Sequence, residues 1–195
     1  MKRIHLALVV AVVSLGAFAA IANAGPVGTL EANLGYVKSS NDASPSNGDP
    51  LGGGVAFGAA YWRSASPMVS WGAEMSYDNL GSVKYDNGTT TDNTISSHVF
   101  QIAPAMRVNF GSVVGPSFFA QGGAGYYSVS GKIDDSVLGS ATDSQGKFGF
   151  NIGAGVGFPV GPATRMNVMG QYNSVSTEGQ SLHYLGFRAG IGFGI

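Results

Sequence analysis

From residue 185 to residue 195, large and bare positions alternate one by one. Leu185, Phe187, Ala189, Ile191, Phe193 and Ile195 form one phase, and Gly186, Arg188, Gly190, Gly192 and Gly194 the other. A period of two is that of a β-strand, whose successive side chains leave opposite faces of the sheet. A soluble sheet turns its large side chains to a core and shows polar ones to water, and it gains nothing from a face lined with glycine. The pattern is inside out: the apolar phase belongs against lipid, and the Gly/Arg phase belongs inside a narrow closed barrel.

The same alternation recurs along the chain. Leu30, Ala32, Leu34 and Tyr36 alternate with Glu31, Asn33, Gly35 and Val37. A strand from Val55 to Arg63 places Val55, Phe57, Ala59 and Tyr61 on one face. Val69, Trp71, Ala73, Met75 and Tyr77 oppose Ser70, Gly72, Glu74, Ser76 and Asp78. A fourth strand, His98 to Phe110, sets Phe100, Ile102, Met106, Val108 and Phe110 against Gln101, Arg107 and Asn109. Pro104 within it donates no ladder hydrogen bond, which allows a bulge or phase slip there. From Pro116 to Val129 the adjacent Phe118 and Phe119 and the pair Gly122-Gly123 blur the phase. Phe118, Ala120, Ala124 and Tyr126 are read as outward and Gln121 as inward. Phe148, Phe150, Ile152, Ala154, Val156 and Phe158 alternate with Gly149, Asn151, Gly153, Gly155 and Gly157. Met166, Val168 and Tyr172 alternate with Arg165, Asn167, Gln171 and Asn173.

Polar segments from Lys38 to Gly54, Asn79 to Ser97, Gly131 to Gly146 and Ser174 to Gln180 read as long loops, the second with a hairpin tip at Asn87-Gly88. Ser64 to Pro67, Gly111 to Gly115 and Pro159 to Pro162 read as tight turns. Long and short connections alternate, so a meander collects the long loops at one end and both termini at the other. Evenly spaced short strands also suit a soluble sandwich, but nothing in that fold sorts loops by length. The expected fold class is all-β, an eight-stranded antiparallel up-and-down transmembrane β-barrel.

Composition sharpens this picture. The 195 residues include 31 glycines, no cysteine and only 11% charged residues. Without cysteine there is no disulfide framework and no thiolate metal site. Met1-Lys-Arg3, the apolar run from Ile4 to Ala22 and the Ala22-Asn-Ala24 ending have the layout of a secretory signal peptide. The expected domains are therefore a leader over residues 1–24, cleaved after Ala24 with Ala22 at minus three, and a barrel over residues 25–195. An uncleaved anchor helix is the alternative, since the apolar run is not far short of a spanning length. The whole chain holds 10 basic and 11 acidic residues, and removing Lys2 and Arg3 with the leader leaves 8 basic ones and a net charge of −3. No basic patch offsets that balance, so nucleic acid is not an expected partner.

The strand charges are Glu31, Arg63, Glu74, Asp78, Arg107, Arg165 and Arg188, and all but Arg63 lie in the inward phase. Arg63 stands at a strand end beside a turn. A lipid-facing Arg near the midplane would cost about 2–4 kcal/mol, and the apolar phase carries none there. Tyr36, Tyr61, Trp71, Tyr77, Tyr126 and Tyr172 end the apolar phase as an aromatic girdle should. Glu31, Glu74, Arg107, Arg165 and Arg188 thus share the interior with Gln101, Asn151 and Gln171. Counted from the strand ends, Glu31, Glu74 and Arg188 fall near mid-height, and a Glu31–Arg188 ion pair with Glu74 nearby would satisfy their charges. Such a cluster is either a selectivity constriction or a structural plug. Eight strands leave an interior just wide enough for side chains to fill, which favours the plug.

No enzyme constellation stands out. The glycines are spaced by two with no following helix, unlike a phosphate-binding loop, and the loop aspartates lack the spacing of a calcium loop. No metal or other cofactor is expected. His98 and His183 are expected at the loop end of their strands as interfacial residues.

The leader, the eight alternating strands and the Gly/aromatic closing strand resemble the small outer-membrane β-barrel family that includes the OmpA membrane domain, OmpX and the opacity-type proteins. The most family-like stretches are Phe119 to Tyr127, Phe150 to Phe158 and the closing strand. The resemblance implies residence in the outer membrane with both termini at the periplasmic side. It also implies outer-membrane lipid, lipopolysaccharide and the barrel-assembly machinery as partners, and host or cell-surface ligands bound through the loops. The family's usual last residue is aromatic, whereas residue 195 is Ile, with Phe193 in the same phase two positions earlier. Two barrel enzymes offer a contrast. The lipid A deacylase carries a His-x-Ser motif, but His98 is followed by Val99-Phe100 and His183 by Tyr184-Leu185. The lipid A palmitoyltransferase begins with an amphipathic helix, whereas here Gly25-Pro26 leads almost directly into a strand. A small-solute channel, a lipid A-modifying enzyme and a soluble periplasmic β-protein are the rival readings.

Overall fold

A computed structural model describes residues 28–40, 52–85, 93–111, 115–135, 139–176 and 181–195. They form eight strands: β1 (Thr29–Ser39), β2 (Gly54–Ser64), β3 (Val69–Tyr85), β4 (Asn93–Gly111), β5 (Ser117–Asp135), β6 (Gly139–Gly161), β7 (Thr164–Ser176) and β8 (Ser181–Gly194). Each pairs antiparallel with its sequence neighbours, and β1 pairs with β8, so the sheet closes into a barrel. The closing ladder runs from Thr29 opposite Gly194 to Ser39 opposite Tyr184. Reciprocal backbone bonds of 2.9 Å between Gly28 and Ile195 finish it. The leader with Ala22 and Ala24, and the Asn87-Gly88 tip, lie outside the described residues.

The two phases fall on the two faces as their chemistry requires. Leu34, Phe148 and Phe187 are 61%, 67% and 68% exposed, whereas Glu31, Gln101 and Arg188 are 2%, 1% and 3% exposed. Burying one large apolar side chain is worth about 1.5–3 kcal/mol in water. A full girdle left outside is therefore stable only where the surroundings are themselves apolar. The uncertain fifth strand follows the expected phase, with Phe118, Ala120, Ala124 and Tyr126 exposed and Phe119 and Gln121 buried.

Two local expectations are corrected. Pro104 causes no slip: β4 keeps one register with β3 through it and the same register with β5 on either side of it. Its missing donor is absorbed as a gap in the β4–β5 ladder, where Ile102 pairs Tyr126 and Ala105 pairs Gly123. Register shifts lie instead in β3 between Asn79 and Gly81 and at the end of β6 between Pro159 and Gly161. In β3, Gly81 adopts φ +93°, and its N–H donates to Asn79 Oδ1 at 2.9 Å. A left-handed φ is open to glycine without a steric penalty.

The second correction concerns the long loops. Much of the segments Asn79–Ser97 and Gly131–Gly146 is strand, because β3 and β4 stay paired out to Tyr85 and Asn93, and β5 and β6 out to Asp135 and Gly139. Neighbouring β2 and β7 stop lower, with last ladder pairs Ala56–Asp78 and Gly149–Val175. Four strands thus rise beyond the rim as a sheet. Serine and threonine satisfy a sheet in water as well as a loop, so polarity alone did not separate the two. At the other end the connections from β2 to β3 and from β6 to β7 are tight. In the turn after Ser64, the Ala65 and Ser66 N–H groups donate to the Val69 carbonyl at 2.8 and 3.1 Å, and Ser66 Oγ accepts from the Val69 N–H at 3.1 Å.

Candidate functional site

The inward phase of the eight strands builds a layered interior. Nearest the tight turns, Arg165 on β7 donates through Nη2 to Ser117 Oγ at 2.6 Å and to the carbonyls of Gly115 and Gly157 at 3.4 Å. It fastens the β4–β5 turn region to β6 and β7.

Above it stands Arg107 on β4. Its Nη1 and Nη2 reach Glu31 Oε2 and Oε1 on β1 at 2.8 and 3.2 Å, across the lumen. Its Nε and Nη2 also donate to Gln121 Oε1 on β5 at 3.0 and 2.7 Å. The guanidinium lies between the Trp62 and Phe119 rings, 4.2 and 4.4 Å from their centroids. A planar fork suits this place because it hydrogen-bonds in its plane and stacks on its faces. Glu74 on β3 sits beside this group and takes only amide donors: Gln101 Nε2 at 3.0 Å, Gln121 Nε2 at 3.2 Å, and Asn151 Nδ2.

Higher again, Arg188 on β8 pairs with Asp78 on β3 at 2.7 Å. Tyr184 donates its hydroxyl to the other Asp78 oxygen at 2.9 Å, and Arg188 also reaches Asn33 Oδ1 at 3.3 Å. This overturns the expected Glu31–Arg188 pair. On the closing seam Glu31 stands opposite Gly192 and Arg188 opposite Gly35, four residues apart, or about 13 Å along the strand. Counting from strand ends misplaces both, because β1 and β8 are sheared against each other and Glu31 belongs to the tight-turn half. Each charge is instead neutralised across the lumen, Glu31 by β4 and Arg188 by β3.

Between the layers lies a void of about 10 Å³, lined by Asn33, Glu74, Ser76, Gln101, Gln171 and Arg188. That is room for about one water molecule. Gln171 therefore borders the cluster without joining its bonded core. Over the top, Val37, Leu80, Val99, Tyr127, Val175 and Tyr184 pack into an apolar cluster, all at 0% exposure. A uniformly polar interior was expected, and this cap was missed. Its signal was present, since these residues keep the inward parity of their strands, Val37, Val99 and Tyr127 within the expected strands and Leu80 and Val175 in segments that read as loop.

On the outside, His98 and His183 lie in the outward phase at the long-connection end, as expected. Phe57, Tyr77 and His98 stack in turn across β2, β3 and β4 at 5.2 and 5.5 Å. The Tyr172 hydroxyl and His183 Nδ1 are 2.8 Å apart. Among the described residues no group of three or more His, Cys, Asp or Glu is placed to hold a metal ion.

Known structures share this architecture. Neisserial surface protein A aligns at 15% identity over 89% of this chain and 100% of its own, with a TM-score of 0.58. The N-terminal barrel of Pseudomonas aeruginosa OprF aligns at 13% identity over 88% and 100%, with a TM-score of 0.53. The attachment invasion locus protein Ail of Yersinia pestis, solved with the heparin analogue sucrose octasulfate, aligns at 17% identity over 85% and 97%, with a TM-score of 0.51. No curated protein matches the sequence. At these identities the structures speak for the fold alone, but the family pattern for the outer membrane protein beta-barrel domain matches residues 5–194. With that match covering nearly its whole length, the chain belongs to the outer membrane protein β-barrel family, as a transmembrane barrel of the Gram-negative outer membrane.

Proposed function

We propose that the protein is a plugged outer-membrane barrel that works through the surface presented at its long-connection end, not through its lumen. The observation that carries this is the layered interior. Two cross-lumen ion pairs, a net of amides and an apolar cap fill it, and Asp78, Asn173, Tyr127 and Tyr184 are all at 0% exposure. Among the described residues, the void beside Glu74, Gln101 and Arg188 has room for about one water molecule, too little for a hydrated ion. The proposed topology has a leader over residues 1–24 removed on export, a barrel over residues 25–195, and both termini in the periplasm. The raised sheet of β3 to β6 then stands outside the cell.

The rival readings separate by measurement. In planar bilayers the refolded protein is expected to show no steady conductance. A steady conductance abolished by filling the lumen with Gly190→Trp would overturn the plug. A change in lipid A mass on expression would favour an enzyme. Ail shows that a barrel of this fold is compatible with binding a sulfated ligand, but the sign of the charge differs here. The long-connection segments carry Asp42, Asp49, Asp86, Asp92, Asp134, Asp135, Asp143 and Glu178 against Lys38, Lys84 and Lys132. Their field repels polyanions. Immobilised heparin is therefore expected to retain none of the protein at 0.15 M salt, a partner of basic surface being the better complement.

A further inference from the structure

The two ion-pair layers of the lumen differ in how fully their arginines are bonded. In the lower layer Arg107 engages Nε, Nη1 and Nη2 with Glu31 and Gln121. In the upper layer Arg188 donates through Nη2 to Asp78 at 2.7 Å and Ser76 Oγ at 3.4 Å, and through Nη1 to Asn33 Oδ1 at 3.3 Å. Its Nε, however, has no acceptor among the described residues, and Gln171 Oε1 has no donor. Both side chains belong to residues only 3% exposed. A buried donor or acceptor left unmade loses more than an ordinary hydrogen bond gains, so each needs a partner.

The two orphan groups share one place. Gln171 stands opposite Gly186 and Arg188 opposite Met169, which makes them diagonal neighbours on the inward face of β7 and β8. Gly186 leaves that face open, and Arg188 Nε passes 3.6 Å from where its Cβ would stand. Both residues line the void of about 10 Å³ between the layers, and so does Glu74 on β3. A carboxylate offers about four lone-pair sites. Gln101 and Asn151 occupy two at Glu74 Oε1 and Gln121 one at Oε2, so Oε2 is open to one more donor. The unpartnered amide atoms of Asn151 and Asn173 are a separate case, since those residues stand opposite each other on β6 and β7.

We propose that this void is a binding site for a single water molecule, which accepts from Arg188 Nε and donates to Gln171 Oε1 and Glu74 Oε2. The ligand is set by exclusion. A metal cation has no electron pair for the Arg188 N–H, an anion is repelled by Glu74, and a molecule larger than water does not fit about 10 Å³. Three hydrogen bonds are the usual complement of a buried water. The water joins the two layers into one network that runs from Glu31 through Arg107, Gln121 and Glu74 to Arg188 and Asp78. The site goes beyond the plug reading and rests on it only for the water's confinement.

The test is water contact at the arginine Nε–H protons of the folded full chain in detergent micelles, read by nitrogen-resolved NOE and ROE transfer from the water line. Arg188 Nε–H is expected to show NOE and ROE signals of opposite sign, the mark of a long-lived direct contact. Arg107 Nε–H, which donates to Gln121 Oε1 at 3.0 Å, is expected to show none. Gln171→Met keeps the length of the side chain without its amide oxygen, and is expected to weaken the Arg188 contact several-fold. Ser76→Ala removes a hydroxyl bonded to Arg188, so a signal relayed by that exchanging proton would vanish with it; the contact is expected to persist. Heat-modifiable gel migration confirms that the variants are folded, and the wild-type signals carry the test if a variant is not. No contact at Arg188, a contact unchanged in Gln171→Met, or one lost in Ser76→Ala would each overturn the site and leave the plug standing. Equal contacts at Arg188 and Arg107 would mean water through both layers, which overturns the site and the plug together.

Discussion

Replacing Arg107 with alanine is expected to lower the stability of the folded barrel by about 3–5 kcal/mol, the cost of leaving a buried charge without its partner. Glu31 is 2% exposed and takes both of its arginine bonds from this side chain. Gln121 loses its two bonds at 3.0 and 2.7 Å, and the Trp62 and Phe119 rings lose the plate between them. Equilibrium urea unfolding in lipid vesicles measures the loss. The protein's two tryptophans report from opposite sides of the wall, Trp62 buried at 3% and Trp71 outside at 53%. Arg107→Lys is expected to recover only part of the stability, since an ammonium keeps the charge but neither the fork nor the stacking. A double-mutant cycle of Glu31→Gln with Arg107→Met should give a coupling above about 1.5 kcal/mol, whereas Glu31→Gln with Arg188→Met should be additive within about 0.5 kcal/mol. Coupling in the second pair and none in the first would restore the lateral pairing that the strand count suggests.

That contrast shows how far a period-two pattern reaches. Parity alone assigns every strand to its two faces, because a strand has only two sides and one of them here is nearly free of charge. Glu31, Glu74, Asp78, Arg107 and Arg188 were legible as interior residues for this reason. Their partners were not, because pairing depends on height, and height depends on shear between strands, which no single strand carries in its sequence. Arg107 meets Glu31 across the lumen, and Asp78, seen as an interior charge without a partner, turns out to hold Arg188. The apolar cap was hidden by another limit. Leu80 and Val175 belong to segments whose polar neighbours read as loop, so the inward parity was stopped one or two residues too early.

The largest effect is expected on the seam that closes the barrel, from Gly35→Val on β1. A Cβ at residue 35 would fall on the backbone of Phe187 and Arg188, the residues it must pair beside on β8. A clash with backbone cannot be relieved by turning a rotamer, so it exceeds the about 1–3 kcal/mol of ordinary overpacking. Arg188 has no room to retreat, since its guanidinium is tied to Asp78 at 2.7 Å and its side chain is 3% exposed. β1 and β8 must then separate where Tyr36 meets Phe187, and the ladder that joins the first strand to the last is broken in its middle. Refolding of Gly35→Val in detergent is expected to yield less than about a tenth of the wild-type amount of the heat-resistant compact form. Ala32→Val is the matched control: it lies on the same strand and seam, opposite Ile191, but in the exposed outward phase. It should refold like wild type. Equal yields from both variants would mean that glycine faces the lumen at residue 35 for want of a side chain to place there; a loss confined to Gly35→Val would mean that the bare phase of the seam is what lets the two strands meet.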